Sequence, residues 1–178
     1  MATPIPENRC VFTADEIVRA SGAAASGAGA APTQVEGVSI DSRTVARGAL
    51  FVALRGIRDG HEFIDAAAAR GAAAALVERG RAHSTLPCLE VNDTLEALGA
   101  LARFHLERIR GTHPLPLAAI GGAAGKTTTK ELTAALVRAL YGDILATPGN
   151  LNNLIGVPMT VLTLTPRERA AVIECGTN

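Results

Sequence analysis

Tryptophan is missing from this 178-residue chain, tyrosine occurs once and phenylalanine four times. So few rings leave no row of stacking platforms for bases. The formal net charge is zero, so the chain carries no electrostatic footprint for nucleic acid or for an anionic membrane surface. Cysteine is scarce as well: Cys10, Cys88 and Cys175 stand far apart, odd in number and without C-x-x-C spacing. That pattern excludes a disulfide framework and a zinc knuckle, and suits a reducing cytosol. Long apolar runs are absent too. The alanine-rich stretch Ala66 to Leu76 is broken by Arg70 and Gly71 and falls short of the roughly 20 residues a spanning helix needs. The opening "MATPIPENRC" has neither the basic nor the apolar region of a signal peptide. These absences predict a cytoplasmic protein with no nucleic-acid partner and no membrane insertion; independently of them, a monomer is expected.

What is present is core material, 48% hydrophobic against 19% charged residues, enough for one ordinary domain or two small ones. "TADEIVRASG" places Thr13 three residues before Glu16, a capping-box spacing, and ends at Gly22, which predicts a short helix. "AAASGAGAAPTQ" reads as a small-residue connection without periodicity. "VEGVSIDSR" and "GALFVALRG" read as strands, "HEFIDAAAARG" as a helix stopped by Gly71, and "AAALVE" and "LPCLEV" as buried strands. "DTLEALGALARFHLERIRG" carries an Asp93 cap, puts Leu95, Leu98, Leu101 and Ala102 on one face, and stops at Gly111.

Strand and helix in alternation predict an open α/β sheet. The Pro- and Gly-containing "GTHPLP" divides the chain into 1–112, a small α/β domain, and 113–178, the start of a parallel-sheet domain. The second part reads as strand "LAAI", a glycine loop, helix "TTTKELTAALVRALYG", strand "DILAT", a turn, helix "IGVPMTVLTL" and strand "AAVIEC". About sixty residues is thin for a doubly wound nucleotide domain, and a sheet whose last strand is "AAVIEC", with the chain stopping at "GTN", would be left with an open edge. The expectation is a chain cut short, or a piece of a longer one.

"IGGAAGKTTTKE" sits between an apolar strand and a helix, which aims backbone N–H groups and the positive helix end at an anion. Gly121, Gly122 and Gly125 let phosphate oxygens approach, with Ala123 and Ala124 between them. Lys126 supplies charge, and the Thr127 hydroxyl suits Mg²⁺. Lys126 and Lys130 are the only lysines among 17 basic residues, so a compact ammonium stands at the loop of an otherwise arginine-using chain. The loop is predicted to bind phosphate. It nevertheless fails the long G-x-x-x-x-G-K-[ST] pattern, because Ile120 occupies the first glycine's place.

A shorter G-x-x-G-K-T loop is typical of the Mur ligases, the ATP-dependent amide-forming enzymes of peptidoglycan synthesis, and "GGAAGKTTTKE" resembles it. Gly121 stands where the family usually has threonine. "TPGNLNNLIGVPMTVLTL" resembles the segment of the member that adds D-alanyl-D-alanine to UDP-N-acetylmuramoyl-tripeptide; it gathers Asn150, Asn152 and Asn153, and also reads as an Asn-rich turn. "AVIECGTN" is similar to the family's strand ending in E-x-G-x-N. "GVSIDSRTVARGALFVALRGIRDGHEFIDAAAARGAAAALVE" resembles the region that receives the UDP end of the substrate, a region shared with the sister ligase that adds the third peptide residue.

The resemblance implies ATP and Mg²⁺ as cofactors, with UDP-N-acetylmuramoyl-tripeptide and D-alanyl-D-alanine as substrates. It implies ATP binding by Gly121, Gly122, Ala123, Ala124, Gly125, Lys126, Thr127, Thr128, Asn150 and Asn153. Lys126 and Glu174 would be catalytic, and Thr127 and Glu174 the metal ligands, since a strand-end carboxylate holds Mg²⁺ through oxygen. Ser42, Arg43, Arg55, Gly56, Asp59, Gly60 and His61 would bind the uridine nucleotide. Asp41-Ser42-Arg43 also fits a turn between strands, and His61 a structural place at a helix start. Asn178 receives no role.

ATP would phosphorylate the tripeptide carboxylate, and the amine of D-alanyl-D-alanine would attack the acyl phosphate to give amide, ADP and phosphate. No side-chain nucleophile is needed, in keeping with the lack of a Cys-His or Ser-His-Asp constellation. The domain expected to bring D-alanyl-D-alanine has no counterpart in the sequence, so these 178 residues alone are expected to bind substrate without ligating. The sister ligase and a non-catalytic binding module for a nucleotide or UDP-muramoyl peptide remain alternatives. A P-loop kinase or GTPase would want the longer loop.

Overall fold

A computed structural model of the chain describes residues 3–27 and 32–176. Asn178 and part of the "AAASGAGAAPTQ" connection lie outside the described residues. By contact density the chain forms two compact units, Glu7–Leu101 and Ala102–Asn178 with Met1–Pro6.

In the first unit, β1 (Val11–Thr13) leads into α1 (Ala14–Ser21). Thr13 Oγ1 accepts from Glu16 N while Glu16 Oε2 accepts from Thr13 N, so the expected capping box closes at both hands. The connection after Gly22 differs from expectation. Ala24–Gly27 form β2, an edge strand antiparallel to β7 (Pro87–Val91). Small residues have no alternation to reveal such a strand, and its partner imposes it.

"VEGVSIDSR" likewise is not one strand. It is β3 (Gln34–Glu36), paired with β1, and β4 (Val38–Ser39), paired with β5 (Leu50–Val52). The switch is Gly37 at φ 88°, where a Cβ would come within 2.8 Å of Asn8 O. β6 (Ala74–Glu78) completes a five-stranded sheet in the order β2-β7-β6-β5-β4, parallel except at β2.

The "HEFIDAAAARG" helix starts as a tight 3-10 turn, Gly60–Phe63, and continues as α2 (Ile64–Ala69). Phe51, Ala53, Ala75, Val77 and Cys88 on one sheet face pack with Ile64, Ala67, Val45 and Leu86 in a single buried cluster. Leu50, Val52, Leu76 and Leu89 are buried on alternate positions, as expected of parallel strands covered on both faces.

α3 (Thr94–Arg110) begins where Asp93 Oδ1 accepts from the amides of Leu95 and Glu96. Beyond it come β8 (Leu117–Ile120), α4 (Lys126–Tyr141), β9 (Ile144–Ala146), α5 (Gly156–Val161) and β10 (Ala170–Glu174). α5 stops three residues short of the expected end, in turn bonds from Thr163 and Leu164 back to Thr160 and Val161. The second sheet is parallel throughout, in the order β8-β10-β9, so β10 takes the centre. No helix among the described residues is long and apolar enough to cross a membrane.

Candidate functional site

The glycine loop follows β8 and opens α4. Residues 121–125 are exposed. Gly122 at φ 138° and Gly125 at φ 74° take backbone angles that side chains other than glycine's rarely adopt. Gly125 is the N-cap of α4, has no side-chain cap bond, and no acidic residue occupies the first turn. The leading amides of the helix are therefore left without a side-chain cap or an acidic residue of the helix's own first turn, the condition for binding an anion. Lys126 Nζ donates to Gly122 O at 2.7 Å, which lays the ammonium across the loop.

Glu174 ends the central strand and is 1% exposed. Its Oε1 accepts from Thr127 Oγ1 at 3.2 Å and from Asn152 Nδ2 at 2.7 Å. Its Oε2 is buried without a hydrogen-bond partner among the described residues. A buried carboxylate oxygen left in that state carries a large desolvation penalty unless a cation or proton meets it. The described residues contain no cluster of three or more His, Cys, Asp or Glu side chains suited to a metal. One carboxylate beside one hydroxyl instead fits Mg²⁺, which keeps several waters and takes substrate phosphate oxygens as ligands.

The Asn-rich turn divides its tasks. Asn153 Oδ1 accepts from the amides of Ile155 and Gly156 and so caps the start of α5. The Asn150 amide donates to Thr3 Oγ1 at 3.3 Å. Asn152 is the member that reaches Glu174, and its carbonyl also accepts from Gly176 N at 2.6 Å. The motif as a block pointed to this turn, but the expected ligands Asn150 and Asn153 left out Asn152, the one that reaches Glu174, and nothing in the letters marked it.

In the first unit the other candidates fall on two loops. Ser42 and Arg43 follow β4; Arg55, Gly56, Asp59, Gly60 and His61 follow β5. β4 and β5 are parallel neighbours, so both loops leave the same end of the sheet, the carboxyl end where α/β proteins bind ligands. Ser42 is buried, whereas Arg43 is largely exposed and forks onto Asp41, with Nη2 to Oδ2 at 2.6 Å. That bond, with the charge behind it, lowers the Asp41 carboxyl pKa.

Arg55 pairs with Glu78. His61 is buried, with Nδ1 at 2.7 Å from Asp59 Oδ1 and Nε2 accepting from Glu78 N at 3.0 Å. Those two bonds assign the proton to Nδ1 and occupy both ring nitrogens. Asp59 also receives His61 N and Arg81 Nη2, and the His61 ring bond, followed by these others, holds its carboxyl far below the usual range. Gly60 is pressed against backbone, since a Cβ there would lie 2.7 Å from Leu54 N.

Both parts of the chain have counterparts among known proteins. The model described as the Mur ligase family catalytic domain matches residues 34–106, and that of the Mur ligase middle domain matches residues 120–178. The chain belongs to the Mur ligase family. It is 48% identical over 145 residues to the UDP-N-acetylmuramoyl-tripeptide–D-alanyl-D-alanine ligase of Escherichia coli K12, an alignment that takes in 81% of this chain and 31% of that protein.

A crystal structure of MurF from Acinetobacter baumannii superposes with a TM-score of 0.84 at 34% identity, over 98% of this chain and 37% of the other. The MurF ligase of Thermotoga maritima in complex with ADP superposes at 0.66 and 33% identity, over 78% of this chain and 31% of the other. The chain thus spans about a third of the length of the curated relatives it matches.

Proposed function

We propose that this chain supplies the UDP-sugar-peptide domain, residues 1–112, and the phosphate-binding start of the ATP domain, residues 113–178, of a ligase that joins D-alanyl-D-alanine to UDP-N-acetylmuramoyl-tripeptide. The observation that carries the reading is the meeting of Thr127 and Asn152 on the buried Glu174 carboxylate, beside an uncapped helix start. The relatives named for this reaction and the ADP held by the Thermotoga protein support it.

In the proposed arrangement the amides of Gly122 to Thr128 cradle the β- and γ-phosphates of ATP, and Lys126 swings from Gly122 O onto them. Thr127 and Glu174 hold Mg²⁺, which supplies neutralisation of phosphate charge when bound. Asn152 keeps the carboxylate turned toward Thr127. These groups together spread the charge that develops as the phosphoryl moves to the tripeptide carboxylate. On the first unit, Arg43 and Arg55 face the diphosphate and Ser42 the uridine, in a cytoplasmic, monomeric protein.

The test is calorimetric titration of the 178-residue chain with ADP, with Mg²⁺ or with EDTA. Binding is expected to be clearly tighter with Mg²⁺ than with EDTA and to weaken about tenfold or more in Lys126→Met, the loss of a hydrogen bond to a charged group being roughly 1.5–3 kcal/mol. ADP binding that is absent, or that ignores the metal or Lys126, would overturn the nucleotide assignment. UDP-N-acetylmuramoyl-tripeptide is expected to bind the same chain, undisturbed by Lys126→Met.

A further inference from the structure

Lysine side chains are seldom buried unless firmly partnered, yet Lys130 is 2% exposed. It stands on α4 three positions after Thr127, on the same helical face. Its Nζ donates to Thr147 O at 3.1 Å and to Glu131 Oε1 at 2.5 Å. Glu131 belongs to the same helix and its side chain is mostly exposed, so the bond that ties Lys130 to another element is the one to Thr147.

Thr147 is itself buried and has no polar group to spare. Its amide donates to Val172 O at 3.0 Å, its carbonyl accepts from Lys130, and its hydroxyl accepts from Glu174 N at 2.8 Å. The contacts close a ring. Thr127 bonds the Glu174 side chain, the Glu174 backbone bonds Thr147, Thr147 bonds Lys130, and one turn of α4 leads back to Thr127.

We propose that Lys130 is a positioning residue for the phosphate and metal site, fixing the carboxylate of Glu174 against Thr127 through Thr147; this rests on the nucleotide reading above. Helix α4 grips the central strand at two points, directly with the Thr127 hydroxyl and indirectly with the Lys130 ammonium. Two grips one turn apart fix both the rotation of the helix and its height along β10, and a carboxylate that must meet a small octahedral cation requires both. A methionine in place of Lys130 would fill the same space while releasing Thr147, so packing alone does not explain the ammonium.

ADP titrations with Mg²⁺ and with EDTA, on the whole chain, would compare wild type, Lys130→Met, Glu174→Gln and the double variant. Lys130→Met is expected to weaken Mg²⁺-dependent ADP binding about tenfold while binding in EDTA stays within about twofold, the size of effect seen when the support of a metal ligand is removed. The double variant is expected to bind no more weakly than Glu174→Gln alone, because both changes act on one carboxylate. A Lys130→Met protein that keeps the metal enhancement, weakens equally in EDTA, or adds its loss to that of Glu174→Gln overturns the proposal.

Should Lys130→Met not fold by circular dichroism, Thr147→Val reads the same ring from its other side. It leaves the Lys130 acceptor carbonyl intact, and loss of the metal enhancement is again expected; its retention overturns the role. A wild-type chain whose ADP binding is absent or metal-independent overturns the nucleotide reading, and Lys130's role with it, before any variant is measured.

Discussion

Asp59 gathers the His61 ring, the His61 amide and the Arg81 guanidinium, and these bonds, the His61 ring bond first, depress its pKa. A carboxyl whose folded pKa lies below its unfolded value stabilises fully above that unfolded value, about 4. The contribution is lost as pH falls through the folded value. Asp59→Asn is therefore expected to lower the urea midpoint by a constant amount above about pH 5, and the gap to wild type should shrink below about pH 4. Far-UV circular dichroism at a series of pH values would check this; a gap unchanged at pH 3 would sink it. His61 and Asp59 were legible as a pair of site letters, but their bonds are not. In a sequence His61 is simply a histidine two residues after an aspartate, whereas the fold brings Glu78 N to its second nitrogen. Lys130 escaped for the same reason, since burial belongs to the packed helix and not to the letter.

Among the elements, α5 is seated on the Asn-rich turn with no slack. A Cβ at Gly156 would lie 2.6–2.7 Å from the backbone of Leu151, which has no flexible end to move aside. Gly156→Ala is expected to destabilise the second unit by roughly 1–3 kcal/mol, the range for overpacking, and to loosen Asn152 from Glu174. Thermal unfolding combined with Mg²⁺–ADP titration would show both effects, and an unshifted melting temperature would refute the close fit. Elements with local signatures were readable: the Thr13–Glu16 box, the Asp93 cap, and the strand-loop-helix at Lys126 all form as their letters indicate. Elements defined by a distant partner were not. β2 exists because β7 lies beside it, and β3 parts from β4 because Gly37 passes the chain from one sheet to another. α5 ends early in turn bonds that an apolar run cannot announce.

At the scale of the molecule, 81% of the chain aligns with about a third of the Escherichia coli relative. A chimera in which this chain replaces that third is expected to form amide from UDP-N-acetylmuramoyl-tripeptide and D-alanyl-D-alanine, and Lys126→Met to abolish the reaction. Product analysis by mass spectrometry would check it; a folded chimera that binds UDP-N-acetylmuramoyl-dipeptide in preference to the tripeptide would favour the sister ligase, which adds the third peptide residue. The strand order of the second sheet has one more consequence, for synthesis. β10 is made after β8 and β9 yet lies between them, so on the ribosome neither earlier strand has its partner until residues 170–174 emerge. The pairing of Leu117 with Ala171 and of Glu174 with Ile120 closes long stretches of chain in one step, the kind of non-local closure that slows folding. Until that insertion the glycine loop exists without its carboxylate, so on the proposed reading the capacity for a metal-bound nucleotide would arrive abruptly with β10, and a nascent chain halted before Ala170 holds two unpaired strands open to aggregation.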